Sequence, residues 1–87
     1  MLRFILCDDD EVQLDEIAGF TRQWADANNI NVEISQFTSG KAVLEQFQPQ
    51  RNDIVICDIM MPDMDGLTLA QSLRSLRPDF HIIFISS

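Results

Sequence analysis

Acidic residues follow two apolar runs of this 87-residue sequence, where they could hold a metal ion and support phosphoryl chemistry. Leu2–Cys7 leads into four consecutive acids at 8–11, and the apolar run 54–57 ends on Asp58. One or two acids in such places are explained as helix caps, because the helix dipole favours aspartate near a helix start. Four in succession exceed what capping requires, and their mutual repulsion is tolerable if a cation lies among them.

The chemistry indicated is phosphoryl transfer assisted by a hard cation. Carboxylate ligands suit Mg²⁺, which keeps several waters and takes one or two carboxylates. A carboxylate beside such an ion can attack phosphorus and form an aspartyl phosphate. The ion offsets charge on the phosphoryl oxygens, and a hydroxyl can donate to one of them.

The elements that must position these groups follow from the spacing of apolar residues. Strands are predicted at 2–7, 31–37, 54–57 and 80–85, and helices at 11–28, from Gly40 to Pro49 and from Gly66 to about 77. Trp24 is expected in the core. This alternation predicts right-handed crossovers and a parallel sheet covered on both faces.

The predicted sheet brings the candidate residues to one edge. Asp8 and Asp9 follow the first strand, Asp58 follows the third, and Ser86 follows the fourth. Ligands bind outside the carboxyl ends of the strands in such sheets. We therefore expect these carboxylates and this hydroxyl to converge.

Three segments resemble the receiver domain of bacterial two-component response regulators. They read Ile-Leu-Cys-Asp-Asp-Asp at 5–10, Asp-Ile-Val-Ile-Cys-Asp-Ile-Met-Met-Pro-Asp-Met-Asp-Gly at 53–66, and Ile-Ile-Phe-Ile-Ser-Ser at 82–87. The middle motif is the most specific, and the resemblance runs over the whole chain. It implies a flavodoxin-like, doubly wound α/β fold with strand order 2-1-3-4. It also implies that a sensor histidine kinase passes a phosphoryl group to the domain. The phosphorylated domain then switches an output domain, and the receiver itself is not a turnover enzyme.

The resemblance assigns a metal site and a phosphoacceptor. Asp58 matches the phosphoacceptor and also a ligand of Mg²⁺. Asp9 matches the direct carboxylate ligand, and Asp8 matches the partner that acts through water. The backbone carbonyl of Met60 would complete the protein ligands.

Further positions match the family around this site. Ser86 matches the hydroxyl residue that contacts the phosphoryl group and moves on activation, and Gly66, after Pro62 in the loop, matches the tight start of the third helix. The segment 36–40 and the Cys-Asp-Asp-Asp variant look most like receivers of the LytTR class. That subclass implies transcription regulation by a DNA-binding output domain not present here.

The chain departs from the family pattern after the fourth strand. Receivers have a fifth strand and two more helices, so residues 1–87 are expected to form a partial receiver domain. The family's lysine after the fifth strand has no match, since the one lysine, Lys41, starts the second helix. The run 82–85 is typical of an interior strand, yet here Phe80–Ser86 would be a bare apolar edge. A homo-oligomer or strand exchange through this edge is predicted.

Two alternative functions remain open. Asp63-Met-Asp-Gly resembles the signature of haloacid dehalogenase-type phosphatases, whose nucleophile directly follows a buried strand, but Pro62 would then lie inside that strand, which tolerates it badly. A non-phosphorylated interaction module, with Asp58 acting only as a cap, is the other alternative. A calcium-binding EF-hand is excluded, because Met61 and Ser72 occupy its first and last ligand positions.

The composition limits the classes of partner that the chain is expected to bind. A formal charge of −8 argues against binding of nucleic acid or anionic membranes, and a 46% hydrophobic content is ordinary for a globular domain. No apolar run approaches the roughly 20 residues of a membrane helix, and the first residues do not resemble a signal peptide. A cytoplasmic location is expected. Cys7 and Cys57 are therefore expected to be reduced, buried apolar residues.

Overall fold

The described part of the chain folds into four parallel strands that alternate with three helices. The structure, a computed structural model, describes residues 1–48 and 53–85. The strands are β1 (Leu2–Cys7), β2 (Val32–Phe37), β3 (Asp53–Asp58) and β4 (His81–Ile85), and the helices are α1 (Glu11–Ala27), α2 (Gly40–Gln46) and α3 (Gly66–Leu76). The sheet order is β2-β1-β3-β4. The predicted flavodoxin-like order 2-1-3-4 is therefore confirmed.

Local capping chemistry fixes both ends of α1. Asp10 is its N-cap, and its Oδ1 accepts the backbone N–H groups of Val12 at 3.0 Å and Gln13 at 3.4 Å. At the other end Asn29 adopts a φ of 54°, the left-handed conformation that asparagine tolerates after a helix. One of the four consecutive acids is thus explained by capping.

Two apolar clusters lie on opposite faces of the sheet. The cluster under α2 and α3 includes Val43, Leu69 and Leu73, while the cluster under α1 includes Leu6 and Leu14. Cys7 and Cys57 are buried, free thiols in the first cluster, as expected. The neighbouring Cys57 thiol and burial both raise the pKa of the Cys7 thiol, which donates to Met61 Sδ at 3.5 Å and so stays protonated and apolar in character.

The prediction that Trp24 belongs to the core is wrong. Its side chain is 46% exposed, and its ring meets Phe4 edge-on at a centroid distance of 6.5 Å. Trp24 lies at the margin of the apolar stripe of α1, towards the β3–β4 half of the sheet. No described helix covers that half, so the indole keeps one side in solvent. Leu76, in the last turn of α3, is likewise half exposed.

Strand β4 forms one edge of the described sheet. It pairs with β3, and β3 itself lies between β1 and β4. Of the two apolar runs 54–57 and 82–85, the first therefore belongs to an interior strand and the second to an edge strand of the described sheet. Ser86 lies outside the described residues, and pairing of the Phe80–Ser86 edge with another chain stays a prediction. Among the described helices none has the length and apolar character needed to cross a bilayer.

Gly66 marks a close approach between the start of α3 and the end of β3. A Cβ atom at this position would lie 2.6 Å from the Asp58 carbonyl oxygen and 3.1 Å from the Ile59 Cα, both backbone atoms. We expect Gly66→Ala to lower the free energy of unfolding by about 1–3 kcal/mol, because backbone must shift to relieve the overlap. Urea denaturation of the variant measures this loss.

Gly19 provides the matched control within α1. A Cβ there meets nothing within 4 Å, so Gly19→Ala should raise the free energy of unfolding by about 0.5–1 kcal/mol through better helix propensity. Equal effects of the two substitutions would show that the backbone approach at Gly66 is unimportant for stability.

Candidate metal and phosphoacceptor site

The register of the two central strands places two aspartates side by side. Cys7 of β1 is opposite Cys57 of β3 in the parallel ladder. Asp8, directly after β1, and Asp58, the last residue of β3, therefore lie at the same level. The ends are held by further backbone bonds, because Asp8 N–H donates to Phe37 O at 3.1 Å and Ile59 N–H donates to Ile85 O at 3.1 Å. The pairing of β1 with β3 thus brings the residues of the acidic site together.

Three carboxylates meet at this edge. Asp8, Asp9 and Asp58 each offer an oxygen, and these oxygens lie within 4.8 Å of one another. Asp8 is 1% exposed and Asp58 is 3% exposed, while Asp9 is open to solvent. Two buried anions and one exposed anion therefore share a small volume, as predicted from the strand ends.

Asp8 has an incompletely satisfied carboxylate. Its Oδ1 accepts the Asp10 N–H at 2.9 Å, whereas its buried Oδ2 has no hydrogen-bond partner within the described residues. Burial raises the pKa of Asp8, and repulsion from Asp58 and Asp9 raises it further. An unpartnered, buried oxygen beside two other anions fits a site for a hard divalent cation, which would supply the missing interaction.

Asp58 presents its carboxylate at the start of the loop that follows β3. Its Oδ1 accepts the backbone N–H of Met60 at 3.2 Å, which orients the side chain. The Met60 side chain is 71% exposed, so this residue contacts the site through its backbone. Whether its carbonyl binds a metal stays a prediction.

Hydrogen bonds hold the loop between β3 and α3 in place. Gly66 N–H donates to Ile59 O at 2.8 Å, and Asp65 caps α3 by accepting the Thr68 N–H at 2.7 Å. That hydrogen bond lowers the pKa of Asp65. Pro62 is exposed in the same loop. The loop therefore begins at the phosphoacceptor candidate and ends at a capped helix.

One contact in this loop could not be found from the sequence. Asp63 Oδ2 accepts the backbone N–H of Lys41 at the start of α2 at 3.3 Å. The two residues are 22 positions apart, and no local pattern links them. Asp63 is exposed and is not part of the three-carboxylate cluster.

The fold and the acidic pocket together are those of the receiver class of α/β domains. The pattern of the family described as the response regulator receiver domain matches residues 4–87. The chain belongs to this family and is a receiver domain of the two-component response regulators, whose members bind Mg²⁺ in their acidic pocket.

Individual relatives show the same likeness. The transcriptional regulatory protein RprY of Bacteroides fragilis is 33% identical over 86 residues, covering 99% of this chain and 34% of that protein. The non-phosphorylated HemR receiver domain of Leptospira biflexa matches with a TM-score of 0.83 at 20% identity, over 99% of this chain and 64% of its own. Vibrio cholerae chemotaxis protein CheY4 matches with a TM-score of 0.75 at 24% identity, over 97% and 67%. The chain thus spans about a third of RprY and about two thirds of the two solved chains.

Removal of the charge on Asp8 should stabilise the metal-free chain near neutral pH. Asp8→Asn removes repulsion from Asp58 and Asp9 and the cost of a buried, unpartnered anionic oxygen. We expect a gain of about 1–3 kcal/mol in the free energy of unfolding, measured by urea denaturation in the presence of a chelator. Added Mg²⁺ should stabilise the original chain more than the variant, because a ligand that binds only the folded state stabilises it by mass action.

The stability gained by Asp8→Asn should depend on pH. Because the pKa of Asp8 is raised in the folded state, the folded chain binds this proton more tightly than the unfolded chain, where the ordinary value is 3.8. The contribution of Asp8 to metal-free stability therefore falls as pH rises from 3.8 through the raised pKa. The gain from Asp8→Asn should vanish in acid, and Glu45→Gln on α2 is the control for loss of an exposed charge. A pH-independent gain would contradict this account.

Proposed function

We propose that Asp58 is the phosphoacceptor of this receiver domain. The observation that supports this most directly is that Asp58 is buried, with a carboxylate oxygen within 4.8 Å of carboxylate oxygens of Asp8 and Asp9. The buried Oδ2 of Asp8 has no hydrogen-bond partner within the described residues. Asp58 Oδ1 accepts the Met60 N–H, which leaves Oδ2 as the oxygen to attack phosphorus. The bond between phosphorus and the donor's leaving group breaks, and the leaving group departs with its electron pair.

The metal ligands are part of the same proposal. Asp9 and Asp58 would bind Mg²⁺ directly, Asp8 would act through water, and the Met60 carbonyl would be the third protein ligand. When bound, the ion offsets the negative charge of the carboxylates and of the phosphoryl oxygens. The Met60 N–H would keep the Asp58 side chain oriented, with the other carboxylate oxygen available to attack phosphorus. Ser86 would donate to a phosphoryl oxygen, although it lies outside the described residues.

The signalling partners follow from this chemistry. A sensor histidine kinase would supply the phosphoryl group, and phosphate on Asp58 would shift the population of an active surface that acts on an output domain. A cytoplasmic location, a DNA-binding output of the LytTR class and the absence of substrate turnover belong to the same proposal. The chain's charge of −8 favours a protein partner over direct contact with nucleic acid.

The phosphatase alternative gains little support from the geometry. Its nucleophile would be Asp63, which is exposed, lies five residues beyond the end of β3 and accepts a backbone N–H from Lys41. Asp58, in contrast, is the last residue of the buried strand β3. The interaction-module alternative leaves the shared burial of Asp8 and Asp58 unexplained.

One experiment separates these functions by exchanging single aspartates. The chain is incubated with a small phosphodonor and Mg²⁺, and its intact mass is measured. We expect the mass of one phosphoryl group to be added to the original chain and to Asp63→Asn, but not to Asp58→Asn. Labelling should also require Mg²⁺ and should be lost on addition of a chelator.

The opposite patterns are equally informative. Label that persists in Asp58→Asn and disappears in Asp63→Asn, together with turnover of a generic phosphate ester, would support the phosphatase. A folded chain that takes no label and shows no stabilisation by Mg²⁺ would support the interaction module.

A further inference from the structure

Two thiols lie side by side next to the acidic pocket. Cys7 and Cys57 are Cα partners in the parallel pairing of β1 with β3, and each directly precedes one of the buried acids, Asp8 and Asp58. Both thiols are free, and both belong to the apolar cluster under α2 and α3. They are the two cysteines of the chain, and the proposed phosphoryl chemistry uses neither of them.

The pairing of the strands gives these thiols the spacing that a disulfide needs. Neighbouring strands lie about 4.7–4.9 Å apart, and the Cα atoms of cysteines joined by a disulfide are usually about 4.4–6.8 Å apart. Since the two residues share a register position and a face of the sheet, their side chains stand next to each other. The neighbouring Cys57 thiol is also the main cause of the raised pKa of Cys7, as expected for sulfur atoms in contact.

The hydrogen atoms of the two thiols are held only by weak bonds. The Cys7 thiol donates to Met61 Sδ at 3.5 Å, and the Cys57 thiol donates to the backbone carbonyl of Asp58 at 3.2 Å. Thiols are weak donors, so the fold loses little if both hydrogen atoms are removed. A disulfide carries no charge, so it suits an apolar cluster that lies beside two buried carboxyl groups.

We propose that Cys7 and Cys57 are a redox modification site, which a peroxide converts to a disulfide that links β1 to β3. One thiol sulfur attacks a peroxide oxygen, the O–O bond breaks, and the leaving hydroxide departs as water with the thiol proton. The second thiol sulfur attacks the resulting sulfenic acid, so that the S–S bond forms and a second water leaves. The two sulfur atoms together lose two electrons, which the peroxide accepts. This proposal is independent of the phosphoacceptor function.

The surroundings of the pair make the reaction slow and the bond reversible. Cys7 is 1% exposed and Cys57 is 0% exposed, so the oxidant reaches them when the strand ends open locally. Opposite side chains of neighbouring strands start about 4.8 Å apart, whereas the Cβ atoms of a relaxed disulfide lie about 3.8 Å apart. The strand ends must therefore move together, and the strained bond is readily reduced.

The test is oxidation of the folded 87-residue chain by hydrogen peroxide, followed by intact mass, peptide mapping and thiol counting in urea. We expect a peptide in which Cys7 is linked to Cys57, with the loss of two hydrogen atoms. Free thiols should fall from two per chain to none and return after treatment with a dithiol. The oxidised chain should keep its circular dichroism spectrum and unfold at a higher urea concentration, because the cross-link restricts the unfolded chain.

The variants Cys7→Ala and Cys57→Ala are the matched controls, since each keeps one thiol and an apolar side chain at the other position. Both should retain the reduced chain's urea midpoint after oxidation, because neither can form the cross-link within one chain. Thiols that survive in the oxidised, folded chain would overturn the proposal. So would disulfides found only between chains, which would show that the paired thiols do not react with each other. A linked chain with a lower urea midpoint, or without its native spectrum, would show that the fold cannot accommodate the bond and would also overturn it.

Discussion

The central constraint on this structure is that two carboxyl groups, those of Asp8 and Asp58, are buried beside each other. Asp8 follows β1 and Asp58 ends β3 at the same level, and both residues are almost fully buried. The charge of Asp58 therefore opposes ionisation of Asp8. Hydrogen bonds from Asp10 and Met60 satisfy one oxygen of each carboxylate. The buried Oδ2 of Asp8 remains without a partner in the described residues. The metal-free fold is therefore less stable than its packing allows, and the same destabilisation favours cation binding.

The surrounding elements can be understood as supports for this pair. The first turn of α1 begins at the capping residue Asp10, whose backbone N–H also binds Asp8. The loop after β3 returns to the strand through Gly66, and Asp65 caps α3. Helix ends, with their unsatisfied backbone groups, are thus arranged next to the strand ends that carry the acids. The acids lie at one sheet edge because the carboxyl ends of parallel strands, and the helix N-termini that follow them, all lie there.

The sequence allowed most of the fold and the centre of the site to be predicted. Strand β1 has the predicted bounds and α3 starts at Gly66 as expected, because apolar periodicity and a glycine at a tight turn are local signals. Strand alternation predicted a parallel sheet with its acids at one edge, whereas the order 2-1-3-4, which makes β1 and β3 neighbours, was implied by the resemblance to receivers. Trp24 was misplaced because helical spacing identifies the apolar side of α1 but not how much of the facing sheet is covered. The contact between Asp63 and Lys41 depends on tertiary packing and has no local signature.

The close approach at Gly66 has a consequence for how the domain opens. With the Asp58 carbonyl in the space of a Cβ and the Gly66 N–H bound to Ile59 O, the first turn of α3 cannot separate from the tip of β3 without breaking a backbone hydrogen bond. We therefore expect these two segments to open together in local unfolding, so that their amide hydrogens exchange with solvent at similar rates.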